Sequence, residues 1–309
     1  MKKASVLSLI LSLCLLAVSC AKTSVGESSA KTGESNANKS EEAKSEESAS
    51  TIADSLTPTP APTGEPVTFN FVPSKGLKSS YETRMTLRVN VDTPPSNIVA
   101  SMGGNLDTEV TASNADGSWT VQNRIGQMRI EATMNGNPLP VPPQTQGIAG
   151  KSFAVTYDKT GKIIRTTGIG SSQAEQSVAQ IMEQINPTEM FPKRPVRVGE
   201  SWPVNFEMAI PSQPGTPSMT IKAKGTGKLV EVVGSQAALD YDLALDLLGG
   251  PFSASGAGKS TLKYDMEKAR LVSNRMDMTF NLSGQAPSAP GQQMKATMNL
   301  NANIDLVNR

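Results

Sequence analysis

The feature that most constrains the fold is a regular alternation of apolar and polar residues over long stretches of the chain. It is clearest in YETRMTLRVNVD (81–92), LDYDLALDL (239–247) and MKATMNLNANIDL (294–306). Successive side chains of a strand point to opposite faces, so each stretch is predicted to be a strand with one buried and one solvated face. Strands of this kind form antiparallel sheets.

We therefore predict a mainly β (α+β) domain over residues 66–309, built on a long curved antiparallel sheet, or sheets, of about ten to twelve strands. NADGS (114–118) and YDKTGK (157–162) have the composition of hairpin turns, with Gly117 and Gly161 at positions of positive φ.

One segment departs from the strand pattern. SSQAEQSVAQIMEQINP begins with Ser172 and Glu175 in capping-box spacing and continues with apolar residues at helical spacing, including Ile181 and Met182. A proline at 187 ends the pattern. We predict one amphipathic helix over 172–186 and expect it to pack on the concave face of the sheet.

Two hairpin sequences suggest an internal repeat. GKSFAVTYDKTGKIIR begins at Gly150, and GKSTLKYDMEKARLV begins at Gly258. Both contain Gly-Lys-Ser, then Tyr-Asp, a turn and a returning strand, which indicates two duplicated halves, although so short a match also arises by chance. The second hairpin includes GAGKST, but a phosphate-binding loop requires a glycine where the chain has Ser253. Lys259 is therefore predicted to be a solvated strand lysine.

The N-terminus has the pattern of a secretory signal peptide over residues 1–19. Lys2 and Lys3 precede an apolar run that reaches Ala-Val-Ser-Cys at 17–20. This ending resembles the bacterial lipobox, which implies cleavage before Cys20 and a thiol that carries diacylglycerol with acyl chains such as palmitate. An ordinary signal peptide that happens to contain Cys14 and Cys20 is the alternative. The apolar run is too short to cross roughly 30 Å of hydrocarbon.

Residues 20–65 combine the lipidated cysteine with a tether. The segment is rich in Ser, Glu, Lys, Ala and Thr, ends in TPTPAP, and contains almost no large apolar residue. Such a composition buries too little surface to offset chain entropy, so we predict a disordered linker. A helix over its Glu/Lys run is the alternative. The expected location is the cell envelope: the outer membrane or the periplasmic face of a two-membrane cell, or the surface of a one-membrane cell.

Composition argues against most catalytic chemistry. The chain has no histidine and two cysteines, of which only Cys20 would remain after cleavage. The usual general base near neutral pH and the commonest zinc ligand are therefore missing. Asp240, Asp242 and Asp246 share a strand face, but residues two apart project in parallel, and a solvated face explains them. A net charge of +1 indicates no nucleic-acid partner. We expect neither an enzyme nor a cofactor or metal.

The segment MFPKRPVRVGESWPVNF (190–206) carries a family resemblance. Its Pro-x-x-Pro-Val-x-Val-Gly-Glu-x-Trp core resembles a motif of a family of uncharacterised bacterial secreted proteins and lipoproteins, in which it follows the central helix. That family implies no activity. Gly199 is expected to allow a turn, and Trp202 to pack where a strand begins. More loosely, a curved sheet with a helix on its concave face and a lipidated N-terminus looks like the LolA/LppX type of lipid carrier.

Two functions are consistent with these features. The first is binding or carriage of an apolar ligand, a lipid or acyl chain, between sheet and helix, because thioether side chains make an adaptable apolar wall. The alternative interpretation is that the methionines only fill gaps in the hydrophobic core. The second is an envelope module that binds a protein or glycan through the polar sheet face. The residues predicted to contact an apolar ligand are Met85, Met276, Met278, Met294, Met298, Ile181 and Met182.

The lipobox interpretation predicts that Cys20→Ser abolishes the incorporation of labelled palmitate and moves the protein out of the membrane fraction. The acyl group can attach only to the thiol that becomes the new N-terminus. Cys14→Ser is the matched control, and it should keep both the label and the membrane association. Label retained by the Cys20→Ser protein would contradict the assignment.

Overall fold

The structure is a computed structural model, and it describes residues 62–92, 95–140, 149–168, 170, 190–210, 219–248, 252–285 and 293–307. The strands in chain order are β1 Thr63–Val67, β2 Lys78–Asp92, β3 Pro95–Ser113, β4 Trp119–Met134, β5 Asn137–Pro138, β6 Ser152–Tyr157, β7 Ile163–Thr167, β8 Val196–Val198, β9 Ser201–Ile210, β10 Met219–Val233, β11 Gln236–Leu248, β12 Phe252–Asp265, β13 Arg270–Gln285 and β14 Gln293–Val307. The described part contains no α-helix.

Twelve of these strands form one antiparallel sheet in the order β7-β6-β4-β3-β2-β14-β13-β12-β11-β10-β9, with β5 paired to β4. Most neighbours in space are therefore neighbours in sequence, joined by short turns. The exception is the pairing of β2, near the start of the domain, with β14 at its end. A separate pair is formed by β1 and β8. The predicted antiparallel β architecture is confirmed.

One face of the sheet is apolar from β6 to β9, as the alternation predicts. In β11 every second residue is buried from one end of the strand to the other. Equivalent residues on other strands are as well covered: Leu87 is 1% exposed, Leu245 2% and Leu300 3%. The opposite face carries the charged and amide side chains. Burial on this scale supplies the main stabilisation, at about 25 cal/mol per Å² of apolar surface.

Interior glycines on the apolar face let the backbones of neighbouring strands approach closely. A Cβ built on Gly225 in β10 would lie 1.9 Å from the Asp242 carbonyl oxygen, and one on Gly256 in β12 would lie 2.2 Å from the Thr279 carbonyl oxygen. Neighbouring backbone can approach so closely only where no side chain is present.

The predicted helix over 172–186 lies outside the described residues, and so do the signal peptide and nearly all of the tether. β1 begins at Thr63, three residues before the predicted domain start at Pro66. No helix in the described part is long and apolar enough to span a bilayer.

The strands β2-β3-β4-β6-β7 and β9-β10-β11-β12-β13 correspond in detail. Each run begins with a turn that has glycine at positive φ, Gly76 at 84° and Gly199 at 88°. Gly76 N–H donates to the Val110 carbonyl at 2.8 Å, and Gly199 N–H donates to the Leu229 carbonyl at 2.7 Å. Val110 and Leu229 then donate back to the residue after each glycine, at 2.9 and 3.0 Å.

The same bulges follow in both runs. The register slips by one residue directly after Val110 in the β3–β4 pair and directly after Leu229 in the β10–β11 pair. It slips again at Tyr157 in the β6–β7 hairpin and at Tyr264 in the β12–β13 hairpin. The two hairpins singled out in the sequence therefore occupy the fourth and fifth places of equivalent five-strand runs.

β14 is the strand without a counterpart. It pairs with β13, the last strand of the second run, and with β2, the first strand of the first run. β9 is the first strand of the second run and corresponds to β2. Among the described residues it pairs with β10 alone, so no strand occupies the place that β14 has beside β2. The two runs are thus alike in backbone but differ in what adjoins their first strand.

The close approach at Gly225 predicts that Gly225→Ala lowers the free energy of unfolding by about 1–3 kcal/mol, as overpacking does. Gly103→Ala is the matched control, because its added Cβ meets only the Thr83 carbonyl oxygen at 3.8 Å. That change should stay within about 0.5 kcal/mol of the wild type. Urea denaturation followed by circular dichroism measures the unfolding free energy of both variants. Equal destabilisation would contradict the close approach of the backbone at Gly225.

Candidate functional site

A cleft of about 890 Å³ lies along the edge of β9 that has no partner strand among the described residues, hereafter the edge cleft. It is lined from both faces of the sheet: Trp202, Phe206 and Ala223 on the apolar face form its floor, whereas Pro203, Asn205, Glu207, Lys222 and Lys224 project from the polar face and form, with Lys193 and Arg194, a mostly basic rim. The lining residues are Phe191, Pro192, Lys193, Arg194, Trp202, Pro203, Asn205, Phe206, Glu207, Lys222, Ala223 and Lys224. Its volume falls within the range of about 300–1,000 Å³ typical of small-molecule sites.

Trp202 is fixed in this floor by three contacts. Its indole N–H donates to the Met190 carbonyl at 2.7 Å in a buried hydrogen bond. Its ring covers Gly227 on the neighbouring strand, where a Cβ would lie 2.6 Å from the indole. The ring also meets Tyr241 edge-on at 6.2 Å. The glycine is thus what allows the indole to lie flat on β10, and burial raises the pKa of Tyr241.

The turn before β9 brings this tryptophan to the edge. The Glu200 N–H donates to the Arg197 carbonyl at 3.0 Å, and Gly199 sits at positive φ inside that turn. The Glu200 carboxylate accepts from the Arg197 N–H at 2.8 Å and from the Arg194 guanidinium at 2.5 Å. These two contacts hold the pKa of Glu200 below its usual range. The expected turn at Gly199 and packing of Trp202 are both confirmed.

Phe191 belongs to an aromatic cluster that joins three segments of the chain. Its ring lies 5.2 Å from Phe69, 5.1 Å from Phe71 and 5.2 Å from Tyr264. The Tyr264 hydroxyl donates to the Asn70 carbonyl at 2.7 Å. The segment that precedes β8 is therefore anchored to β12, and this cluster forms the closed end of the edge cleft.

The rim of the edge cleft carries four cations and one carboxylate. Lys222 pairs with Glu207 at 3.3 Å, and Arg194 pairs with Glu200 at 2.5 Å. Lys193 and Lys224 are exposed, and neither forms an ion pair among the described residues. The whole chain has a net charge of only +1, so this concentration of positive charge is local.

The described methionines among the predicted ligand residues share the apolar face of the sheet. Met85, Met276 and Met298 are buried, whereas Met278 and Met294 are half-buried. Met276 and Met85 lie one strand apart, on either side of Ala302. The packing around Met85 and Met102 leaves no room for a water molecule. Met85 therefore lies in a filled part of the core, whereas the edge cleft lies at β9.

Three predicted site residues, Cys20, Ile181 and Met182, lie outside the described residues. Phe206, Lys193 and Lys224 line the edge cleft but were not singled out by the sequence. The signal for Phe206 is the alternation of Trp202, Val204 and Phe206 directly after the glycine motif. Nothing in the sequence shows that β9 is an edge strand, and that position is what opens this row of side chains.

The acidic residues weighed as catalytic lie along the polar face and do not converge. Asp240 accepts a hydrogen bond from the Thr261 hydroxyl at 2.9 Å. Asp242 stands opposite Lys259 in the register, and Asp246 opposite Lys222. Lys259 lies within β12 as predicted, with no helix after it. Among the described residues, no group of three or more acidic, histidine or cysteine side chains is placed to hold a metal ion.

Comparisons with known proteins identify no family for this chain. No family model matches the chain, and no curated protein matches it. Among solved structures, one of lipovitellin that concerns its lipid–protein interactions superposes on 76% of this chain with a TM-score of 0.42 and 9% identity. This chain spans 25% of that protein. OccK7 (OpdD) of Pseudomonas aeruginosa covers the same share, over 100% of its own length, with a TM-score of 0.19 and 7% identity. Scores this low do not show a shared fold.

The two tryptophans of the chain allow the Trp202 hydrogen bond to be measured. Trp202→Phe removes the donor to the Met190 carbonyl, whereas the buried indole N–H of Trp119 has no partner. Both changes remove similar apolar volume. We expect Trp202→Phe to cost about 1–2 kcal/mol more unfolding free energy than Trp119→Phe, the value of a buried hydrogen bond. Equal costs in urea denaturation would show that this bond does not hold the edge cleft.

Proposed function

We propose that the protein is a non-enzymatic lipoprotein of the cell envelope, anchored through Cys20, whose β domain binds a lipid or acyl chain. The observation that carries the proposal is the edge cleft, whose lining on the apolar side of the sheet includes Trp202 and Phe206, with Phe191 from the preceding segment. An open volume lined by rigid aromatic side chains, with polar groups only at its rim, is the usual form of a site for an apolar ligand.

The methionine wall has a supporting role in this proposal. Flexible thioether side chains repack at low cost, so the filled row of Met85, Met276 and Met298 can yield as an acyl chain enters from the edge. The predicted helix over 172–186, with Ile181 and Met182 on its apolar stripe, is proposed to cover the same face. The motif that ends at Trp202 supports membership in the family of secreted proteins and lipoproteins that it resembles.

We further propose that the two five-strand runs arose by duplication. The shared glycine turns, the shared bulges and the matching hairpin sequences support this origin. It bears on function because β2 is covered by β14, whereas β9 has no second partner strand among the described residues.

The alternative is an interaction module that binds a protein or glycan through the polar face. Its best support is the row of Asn299, Asn301 and Asn303 on β14. These amides already bond to β13, with Thr279 at 3.0 Å, Asp277 at 2.5 Å and Arg275 at 3.1 Å. Side chains satisfied within the sheet gain little from a partner, so we favour the apolar ligand.

A brominated fatty acid distinguishes a bound acyl chain from non-specific adsorption. Heavy atoms quench indole fluorescence only at short range, and the chain has two tryptophans. In the Trp119→Phe variant of the mature chain, made with Cys20→Ser so that it carries no lipid, the remaining Trp202 should be quenched saturably. The Trp202→Phe variant, which keeps Trp119 in a separate core cluster, should not be. Equal quenching of both tryptophans, or of neither, would contradict the proposal.

A further inference from the structure

We infer that residues 63–72, hereafter the strap, cover part of the acyl-binding surface in the empty protein and are displaced when the ligand binds. The inference rests on the proposed function and describes how the same site is regulated. In the closed form, which the structure shows, the rings of Phe69 and Phe71 lie against Phe191. In the open form the acyl chain takes their place.

The first argument is that the aromatic residues of the edge cleft are covered. Trp202 is 6% exposed and Phe191 is 5% exposed, so neither ring offers an open surface to a ligand. The strap supplies part of the cover over Phe191, because the rings of Phe69 and Phe71 lie 5.2 and 5.1 Å from it. An acyl chain can contact the Phe191 ring in their place once these two side chains move away.

The second argument is that the two ends of the strap are held unequally. Just after the strap, the Gly76 N–H donates to the Val110 carbonyl at 2.8 Å, and the Val110 N–H donates to the Leu77 carbonyl at 2.9 Å. At its other end, β1 is exposed at four of five residues and pairs with β8 outside the twelve-stranded sheet. A two-stranded pair is marginally stable on its own. The strap can therefore leave at the β8 end and turn about the fixed end at Gly76.

A single side-chain hydrogen bond fastens the middle of the strap to the sheet. The Tyr264 hydroxyl of β12 donates to the Asn70 carbonyl at 2.7 Å, between the two phenylalanines. Without a ligand, opening would break this bond and expose the aromatic rings to water, so the closed form is favoured. A bound acyl chain restores the lost apolar burial. The ligand therefore shifts the balance toward the open form through contacts that only the open form provides.

A disulfide across the β1–β8 pair tests whether the strap must move. Val67 and Val196 are partners in that pair. The Cα atoms of antiparallel partners lie about 4.5–5.5 Å apart, a separation that suits a disulfide. Val67→Cys with Val196→Cys is made in the Trp119→Phe variant of the mature chain with Cys20→Ser, which contains no other cysteine.

Brominated oleate is titrated against this protein before and after reduction, with the fluorescence of Trp202 as the readout. We expect the reduced protein to bind like the Trp119→Phe parent. The oxidised protein should bind about tenfold more weakly or worse, because the open form is no longer populated. If both redox states bind oleate equally, the proposed function stands and this inference is wrong. If the parent and both redox states all lack saturable quenching, both are refuted.

Tyr264→Phe loosens the strap while it keeps the aromatic ring. Loss of the bond to Asn70 should raise the open population and tighten oleate binding by about 2- to 10-fold, the equilibrium effect of one hydrogen bond. Tyr81→Phe is the matched control, because its hydroxyl donates to the Leu271 carbonyl within the sheet at 3.3 Å, and it should leave the affinity unchanged. Unchanged or weaker binding by Tyr264→Phe, or an equal gain in both variants, would overturn the inference. Circular dichroism confirms that each variant is folded.

Discussion

The structure depends on the burial of the apolar face of the antiparallel sheet, which packs as two hydrophobic clusters between β6 and β9. Alternation within each strand assigns the side chains to that face, and the register of the pairs keeps them together. A one-residue slip of any strand would turn its apolar residues to solvent, so burial also fixes the register. With two cysteines in the full chain and one expected after cleavage, no disulfide within the mature chain can contribute, and packing must stabilise the domain.

Glycines on the apolar face serve the same constraint, because Gly225 and Gly256 let neighbouring backbone approach more closely than a side chain would allow. Gly227 and Trp202 show a second use of glycine, in which the missing side chain makes room for an aromatic ring on the neighbouring strand. That ring then becomes the floor of the edge cleft. The position of Trp202 in the candidate site therefore depends on a single glycine, Gly227, on the neighbouring strand.

The sequence predicts much of the fold and less of the site. Alternation identifies the long strands and their buried faces correctly, since period two is a direct consequence of strand geometry. The lysine of GAGKST is correctly assigned to a strand, because the missing glycine at Ser253 rules out the alternative. The place of Phe206 on β9, a strand with one partner among the described residues, and of Lys224 on the adjacent strand is not predictable in this way. It depends on the pairing of β2 with β14, a contact between the two ends of the domain that no local pattern records.

The account centres on one claim: the antiparallel sheet holds an acyl chain at the edge of β9, where the described residues provide no counterpart of the strand that covers β2. Native mass spectrometry of the acylated protein, released from membranes in mild detergent, tests this claim most directly. The account predicts one bound lipid on most molecules, and its loss when Phe206→Asp places a carboxylate on the floor of the cleft. The mass of the acylated chain alone, with no bound lipid in the wild type, would contradict it.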